Sequence, residues 1–305
     1  MSLASRTVAA SIALAAALLA TAGASAQERL SFEHDGVARA ALIDAAPGVR
    51  DAPLLLALHG GIGSASFARR RAAVTLWRRG WVVAWPEAAP EWNDGRRDGD
   101  GDLYNDADDV AFLRSLVARL AAEGRVDPSR VFVAGPSIGG MMALRVACEA
   151  PDLVQGVAAV IAALPVGLDC PAAAPPMPAL FIHGTEDRIV PPEGGRIGGD
   201  SLLIRDRGRV EPIAETVALF ARRNGCAGYA ARPMPDRAPE DGVTTELRAY
   251  EGCAAPLTHL VSFGAGHTWA GGGSMRLGDM LIGATTQDFS ATAAVEAFLS
   301  SLVAD

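Results

Sequence analysis

The chain has 305 residues, half of them hydrophobic, and 27 basic side chains against 35 acidic ones give it a formal net charge of −8 at pH 7. It contains no Lys, and its Arg residues are scattered rather than gathered into one basic patch. That acidity argues against nucleic acid and anionic membranes as partners.

The first 26 residues read as a targeting segment. Arg6 supplies a positive n-region, Val8 to Leu19 an apolar stretch too short to span a bilayer, and Ala24-Ser25-Ala26 a small-residue cleavage site. Removing residues 1–26 takes Arg6 away, moves the net charge from −8 to −9, and leaves residues 27–305 as a single expected domain. The expected location is secreted or periplasmic, with no membrane contact after cleavage. Four Cys in an exported chain predict two disulfides, and among the three possible pairings the sequence neighbours are favoured, Cys148 with Cys170 and Cys226 with Cys253. Each would close a loop of roughly 20 to 30 residues and stabilise by about 3 to 4 kcal/mol on the chain-entropy view. None of the four has a metal-ligand or C-x-x-C spacing, so no metal is expected at them.

In chain order, Leu30 to Ile43 reads as a hairpin turning at Asp35-Gly36. Pro53 to Leu58 is a continuous apolar run of the kind buried on both faces of a parallel sheet. It ends in His59-Gly60-Gly61-Ile62-Gly63-Ser64, where backbone N–H groups of Gly61 or Ile62 can point at a developing oxyanion. No G-K-[ST] follows, so this is not a phosphate cradle. A helix is predicted from Ser66 to Arg79, then a buried strand over Trp81 to Trp85. The stretch from Glu87 to Asp109 is Asp- and Gly-rich and reads as a solvated lip of a cleft. Asp98, Asp100 and Asp102 alternate there, with Asp106 and Asp109 beyond, in a spacing that resembles a calcium loop. Leu103, however, stands where such a loop needs Gly. Asp108 or Asp109 is expected to cap a helix over Val110 to Ala122.

Arg130 to Ala134 is a short buried strand, followed by Gly135-Pro136-Ser137-Ile138-Gly139-Gly140 and an apolar helix over Met141 to Ala147. Strand, sharp G-x-S-x-G turn, helix is the context that pushes a Ser hydroxyl out above a sheet. Val157 to Ala163 and Pro178 to Ile182 are further strands, the latter running into His183-Gly184-Thr185-Glu186-Asp187. Asp187, just past a strand's carboxyl end on the same edge as Ser137, is the favoured acid, with Glu186 its exposed neighbour. Glu211 to Asn224 reads as a helix, and Val243 to Tyr250 and Leu260 to Phe263 as strands. Gly264-Ala265-Gly266-His267-Thr268-Trp269 follows, and Thr285 to Asp288 would cap a last helix over Ala291 to Leu302. The alternation predicts an open, mostly parallel sheet with helices on both faces, an α/β architecture.

Ser, then acid, then His is the chain order of one family of hydrolases, which sets aside His34, His59 and His183 as too early. His259 begins a strand and suits a structural role, whereas His267 lies in a Gly-bounded loop able to reach across the sheet. Ser137 is therefore expected to be a nucleophile, His267 its base and Asp187 the group that orients the base. The N–H of Ile138, with that of Gly61 or Ile62, would form the oxyanion site.

Leu58-His59-Gly60-Gly61, Trp92-Asn93, Asp108-Asp109-Val110, Gly135-x-Ser137-x-Gly139-Gly140-Met141-Met142, His183-Gly184-Thr185-x-Asp187 and Gly266-His267-Thr268-Trp269 resemble the polyhydroxybutyrate depolymerase and feruloyl esterase group of α/β-hydrolases. Thr285 to Asp288 and the final helix match as well, so the resemblance covers nearly the whole mature chain. It implies an α/β-hydrolase fold and a secreted, metal-independent carboxylic ester hydrolase without cofactor. The triad would be Ser137, Asp187 and His267, and the Cys226 and Cys253 contexts also resemble the family's paired cysteines. The chain departs from the family at Pro136 and Ile138, placing a branched apolar side chain beside the nucleophile.

Depolymerases of insoluble polyester usually carry a linker and a binding domain, and neither pattern occurs in this sequence. The expected substrates are soluble esters: short-chain, aromatic feruloyl-type or hydroxyalkanoate, with polyester depolymerisation as the alternative. Trp92 and Trp269 are candidate stacking surfaces. A binding protein on a hydrolase scaffold would be expected to lack a triad residue. Acyl transfer to an alcohol would show as product partitioning.

Overall fold

The computed structural model describes residues 28–61, 63–97, 106–198, 207–273 and 282–303. The expected targeting segment at 1–26, Ile62 and the carboxylates of Asp98, Asp100 and Asp102 lie outside the described residues.

Ten strands form one sheet. They are β1 (Glu28–His34), β2 (Val37–Asp44), β3 (Ala52–Ala57), β4 (Val82–Pro86), β5 (Val126–Pro136), β6 (Val157–Val160), β7 (Ala179–Gly184), β10 (Gly228–Pro233), β11 (Thr244–Glu251) and β12 (Leu257–Phe263), and a separate pair is made by β8 (Gly195–Arg196) and β9 (Arg209–Val210). The spatial order is β1-β2-β4-β3-β5-β6-β7-β12-β11-β10. The centre, from β4 through β12, pairs in parallel, and antiparallel hairpins extend it at both ends. This is the mostly parallel α/β sheet that the alternation of elements predicts.

The central strands are apolar throughout because both their faces are covered. Leu54, Leu56, Val131 and Val133 meet α2 (Asp109–Ala122), α3 (Ile138–Glu149) and α4 (Ile213–Arg223) on one face. Leu55, Phe132 and Ala134 meet α1 (Ala65–Ala72) and α5 (Ala291–Ser301) on the other. Truncating a fully buried Leu such as Leu55 to Ala would cost about 2 to 5 kcal/mol. Buried Asp44 ties α1 to the sheet, accepting from Arg69 Nε at 2.6 Å and from Trp85 Nε1 at 2.9 Å.

Several boundaries differ from expectation for local reasons. The helix predicted over Ser66 to Arg79 stops at Ala73, which adopts φ +48°, and a 3-10 turn over Leu76–Arg79 follows. The intervening Thr75 N–H is taken by the Glu296 carboxylate of α5. The strand predicted over Val157 to Ala163 ends at Val160 because Ile161 turns to φ +46°. Asp108 caps α2, accepting from the Ala111 N–H at 3.0 Å, while Asp109 is buried and accepts from Arg39 at 2.5 Å and the Asn93 N–H at 2.6 Å. The cap of α5 is Ser290, not the Thr285 to Asp288 stretch; Asp288 instead accepts the Arg237 N–H.

Disulfides join Cys148 to Cys170 and Cys226 to Cys253. Among the described residues no helix is long and apolar enough to cross a membrane.

Candidate active site

The carboxyl ends of β5 and β7 and the loop after β12 converge on one edge of the sheet. At the end of β5, Ser137 sits at φ +54°, ψ −126°, a conformation that side-chain-bearing residues rarely adopt and that the surrounding structure must enforce. The enforcement is steric. A Cβ at Gly135 would lie 2.5 Å from the Gly139 carbonyl carbon, and one at Gly139 would lie 2.4 Å from the His59 oxygen. Only glycine lets the strand turn into α3 this tightly while α3 packs against the loop after β3. The Ser137 N–H is anchored to the Val160 oxygen at 2.9 Å, so the turn is fixed from both sides.

His267 Nε2 lies 3.0 Å from Ser137 Oγ, and His267 Nδ1 lies 2.7 Å from Asp187 Oδ2. Asp187 is buried, and its Oδ1 accepts the N–H groups of Ile189 and Val190, both at 2.8 Å. Three donors on one carboxylate, two backbone N–H groups and the imidazole, hold it in place. With Asp187 accepting at Nδ1, the ring carries its proton there and presents the bare Nε2 to the hydroxyl. Glu186 is exposed. Gly266 admits no side chain, since a Cβ would lie 1.9 Å from the Ile282 oxygen.

The loop after β3 runs alongside. A Cβ at Gly60 would stand 3.8 Å from Ser137 Cβ, and one at Gly61 would overlap Ile138 Cδ1 at 2.3 Å. Ile138 is buried and fills the space against Gly61, so its side chain is part of the loop's support rather than an open pocket wall. Its N–H begins α3, where the helix dipole adds to the attraction for an anion. His59 holds the loop from beneath. Its Nδ1–H donates to the Gly60 oxygen at 2.9 Å and its Nε2 accepts the Ala88 N–H at 3.1 Å.

Trp92 is not a stacking surface. It is 1% exposed, and its indole N–H donates to the His59 oxygen at 3.0 Å. Trp269 is half-buried, packs toward α1 and α5, and donates to Thr292 Oγ1 at 3.1 Å. The solvated lip expected after Glu87 is, over Trp92 to Arg96, buried. Its polar groups are matched internally, with Arg96 Nε within 2.8 Å of both Asp94 oxygens and Arg145 donating to the Asn93 oxygen at 2.6 Å. Burial pushes Asp94 up to about 6, against the opposing pull of Arg96. Charge alternation in this stretch reads as solvated in sequence, and only the pairing partners from other segments reveal otherwise.

His183 and His259 meet away from the triad, their rings stacked at 4.4 Å with His259 Nε2 3.2 Å from His183. Desolvation pushes His183 down to about 3, with Arg248 adding to the effect. His259 is lowered well below its ordinary range by burial first, then by His183 and Arg248. A separate groove of about 570 Å³ between α5 and the β11-β12 hairpin, lined by Leu247, Leu260 and Phe298, contains none of Ser137, Asp187 or His267.

A family described as Phospholipase/Carboxylesterase matches residues 103–197. The chain is 35% identical to the putative esterase NocK of Nocardia uniformis subsp. tsuyamanensis over 280 residues, 84% of this chain and 77% of that protein. It is 30% identical to feruloyl esterase B of Piromyces equi over 205 residues, covering 62% of this chain and 35% of that one. With the probable feruloyl esterase C of Aspergillus clavatus the identity is 27% over 164 residues, 53% of this chain and 51% of the relative. Among solved structures, the acetyl xylan esterase from Aspergillus awamori superposes with a TM-score of 0.51 at 14% identity, covering 79% of this chain and 94% of that one, which is a likeness of fold.

Proposed function

The chain belongs to the esterases of the α/β-hydrolase fold and is a carboxylic ester hydrolase, and from that premise we propose that Ser137 is its nucleophile, His267 its general base and acid, and Asp187 the orienting carboxylate. The observation that carries this reading is the continuous line of hydrogen bonds from Ser137 Oγ through the imidazole to buried Asp187, at 3.0 and 2.7 Å. As Ser137 Oγ attacks the ester carbonyl, His267 takes its proton, and Asp187 stabilises the imidazolium that results. The negative charge on the former carbonyl oxygen is met by the N–H of Ile138 together with that of Gly61 or Ile62, each worth about 3 to 4 kcal/mol at comparable sites. His267 returns the proton to the leaving alcohol, and water then repeats the sequence on the acyl-enzyme.

The substrates that fit are soluble esters with short-chain, aromatic feruloyl-type or hydroxyalkanoate acyl groups. Support for the aromatic class comes from the chain's similarity to the feruloyl esterases above. The chain spans only about a third to a half of the feruloyl esterases it matches, so their substrates come to it as proposals. Secretion or a periplasmic location is supported by the two disulfides.

The test is hydrolysis by purified mature protein, wild type beside Ser137→Ala, on p-nitrophenyl acetate and butyrate, methyl ferulate and soluble hydroxybutyrate oligomers. Loss of about 10⁴- to 10⁶-fold in the variant is expected, as for removal of a triad nucleophile. Equal rates in the two proteins would overturn the assignment, and no activity in either would favour a binding protein on this scaffold.

A further inference from the structure

The groove of about 570 Å³ between α5 and the β11-β12 hairpin takes no part in the chemistry assigned to Ser137, and its shape follows from the strand register. Leu247 and Leu260 are direct cross-strand partners, so both side chains stand on one face of the sheet, the face that α5 covers. The cover is incomplete. Toward this hairpin α5 presents Ala294 and, one turn later, Phe298, and a methyl group at position 294 leaves open the space that a longer side chain would fill. The volume falls within the roughly 300 to 1,000 Å³ of small-molecule sites, which are mostly apolar with a few placed polar groups.

The polar groups of this groove include one that is left unsatisfied. Asp288 lines the groove and is 1% exposed. Its Oδ1 accepts the Arg237 N–H at 3.0 Å, whereas its Oδ2 has no hydrogen-bond partner among the described residues. A carboxylate oxygen that has lost water without gaining a donor is costly, so the site calls for a ligand that brings a donor with it. Arg237 lines the same groove and is itself exposed, which restricts the charge such a ligand can carry. A cation would have Arg237 beside it, and an anion would have Asp288 beside it. A neutral hydroxyl is opposed by neither and can donate to Oδ2.

We propose that this groove is a second binding site, separate from Ser137, for a neutral apolar alcohol or phenol. The hydrocarbon body of the ligand packs on Leu247, Leu260 and Phe298, and its hydroxyl donates to Asp288 Oδ2. The site stands independently of the roles given to Ser137, His267 and Asp187, because it shares no residue with them.

The experiment titrates purified mature protein with three probes of one shape, 2-naphthol, 2-methoxynaphthalene and 2-naphthoate, and follows the saturable change in probe fluorescence. The wild type should bind 2-naphthol about tenfold or more tightly than the ether, the factor expected for one hydrogen bond to a charged acceptor, and should bind 2-naphthoate no better than the ether. Ala294→Leu places a longer side chain in the groove and leaves the triad alone. It should weaken 2-naphthol binding by about tenfold or more while hydrolysis of methyl butyrate stays within about twofold of wild type. Asp288→Asn exchanges one carboxylate oxygen for an amide donor and should bring 2-naphthol and the ether to within about threefold. The three-probe comparison needs only the wild-type protein, so it decides the matter even if a variant fails to fold. Phenol and ether within about threefold of each other in the wild type would mean that no ligand hydroxyl is read at Asp288, and tighter binding of 2-naphthoate would make Arg237 the recognising group. Either result overturns the proposal, as does undiminished 2-naphthol binding in folded Ala294→Leu.

Discussion

Strands β7 and β12 each deliver a histidine environment, and the two environments are opposites. Past their carboxyl ends, Asp187 and His267 pair at 2.7 Å with the imidazole in reach of Ser137. Within the strands, His183 and His259 stack on one another, buried, with His259 Nδ1 without a hydrogen-bond partner among the described residues. An imidazole becomes a useful base when a carboxylate stabilises the cation it must form and solvent or substrate can reach its other nitrogen. Without an acid, burial does the reverse and holds the ring neutral. The same residue type is thus paired with an acid past the ends of these strands and held neutral within them.

The strongest way to break this contrast is to take the acid from the reactive pair. Asp187→Asn keeps the shape but lets the side-chain amide donate toward Nδ1, which favours the tautomer with its proton on Nε2 and removes the base. A fall of about 10⁴ in kcat is expected on p-nitrophenyl butyrate, with KM little changed. A loss of less than about tenfold would mean that Asp187 does not orient His267.

The outer parts of this contrast were legible in the sequence. Ser137 was identifiable because G-x-S-x-G between an apolar strand and an apolar helix leaves few other conformations, and Gly135 and Gly139 turn out to have no room for a Cβ. Position past the end of a buried strand narrowed the acid to Glu186 or Asp187, and the structure finds Asp187 buried against His267 while Glu186 is exposed. The His pair was not legible, because His183 and His259 are 76 residues apart and meet only through the β7-β12 register. Strand β10 was missed for a different reason. It is almost wholly exposed and lacks the alternation that marks a half-buried strand. The burial of Asp94 and Arg96 was hidden because a run of charges in sequence carries no record of its partners.

A second test acts on the inert pair. The His183 value of about 3 lies below the ordinary 6.5, so the unfolded chain binds the proton more tightly than the native protein. The resulting stability is complete above pH 6.5 and drains away as the pH falls through about 3, a loss of roughly 5 kcal/mol at one pKa unit per 1.4 kcal/mol. Urea unfolding across that range should show it in the wild type and show it much reduced in His183→Phe/His259→Leu. Parallel losses in both proteins would place the acid sensitivity elsewhere.

The smallest effect has the opposite sign and sharpens the comparison. Asp94 is raised to about 6 from an ordinary 3.8 by burial, so here the native protein holds the proton more tightly. Its contribution is complete below pH 3.8 and is lost as the pH rises through about 6, at most about 3 kcal/mol. Over that window the His pair gains stability with pH while Asp94 loses it, and the wild-type profile is flatter than either group alone would make it. Asp94→Asn removes one side of this balance. Whatever it does to stability at neutral pH, where Arg96 is left with a neutral amide, the urea midpoint should climb more steeply between pH 4 and 6 than in the wild type. An unchanged slope would mean that Asp94 ionises in the native protein as it does in the unfolded chain, and that Arg96 fully offsets its burial.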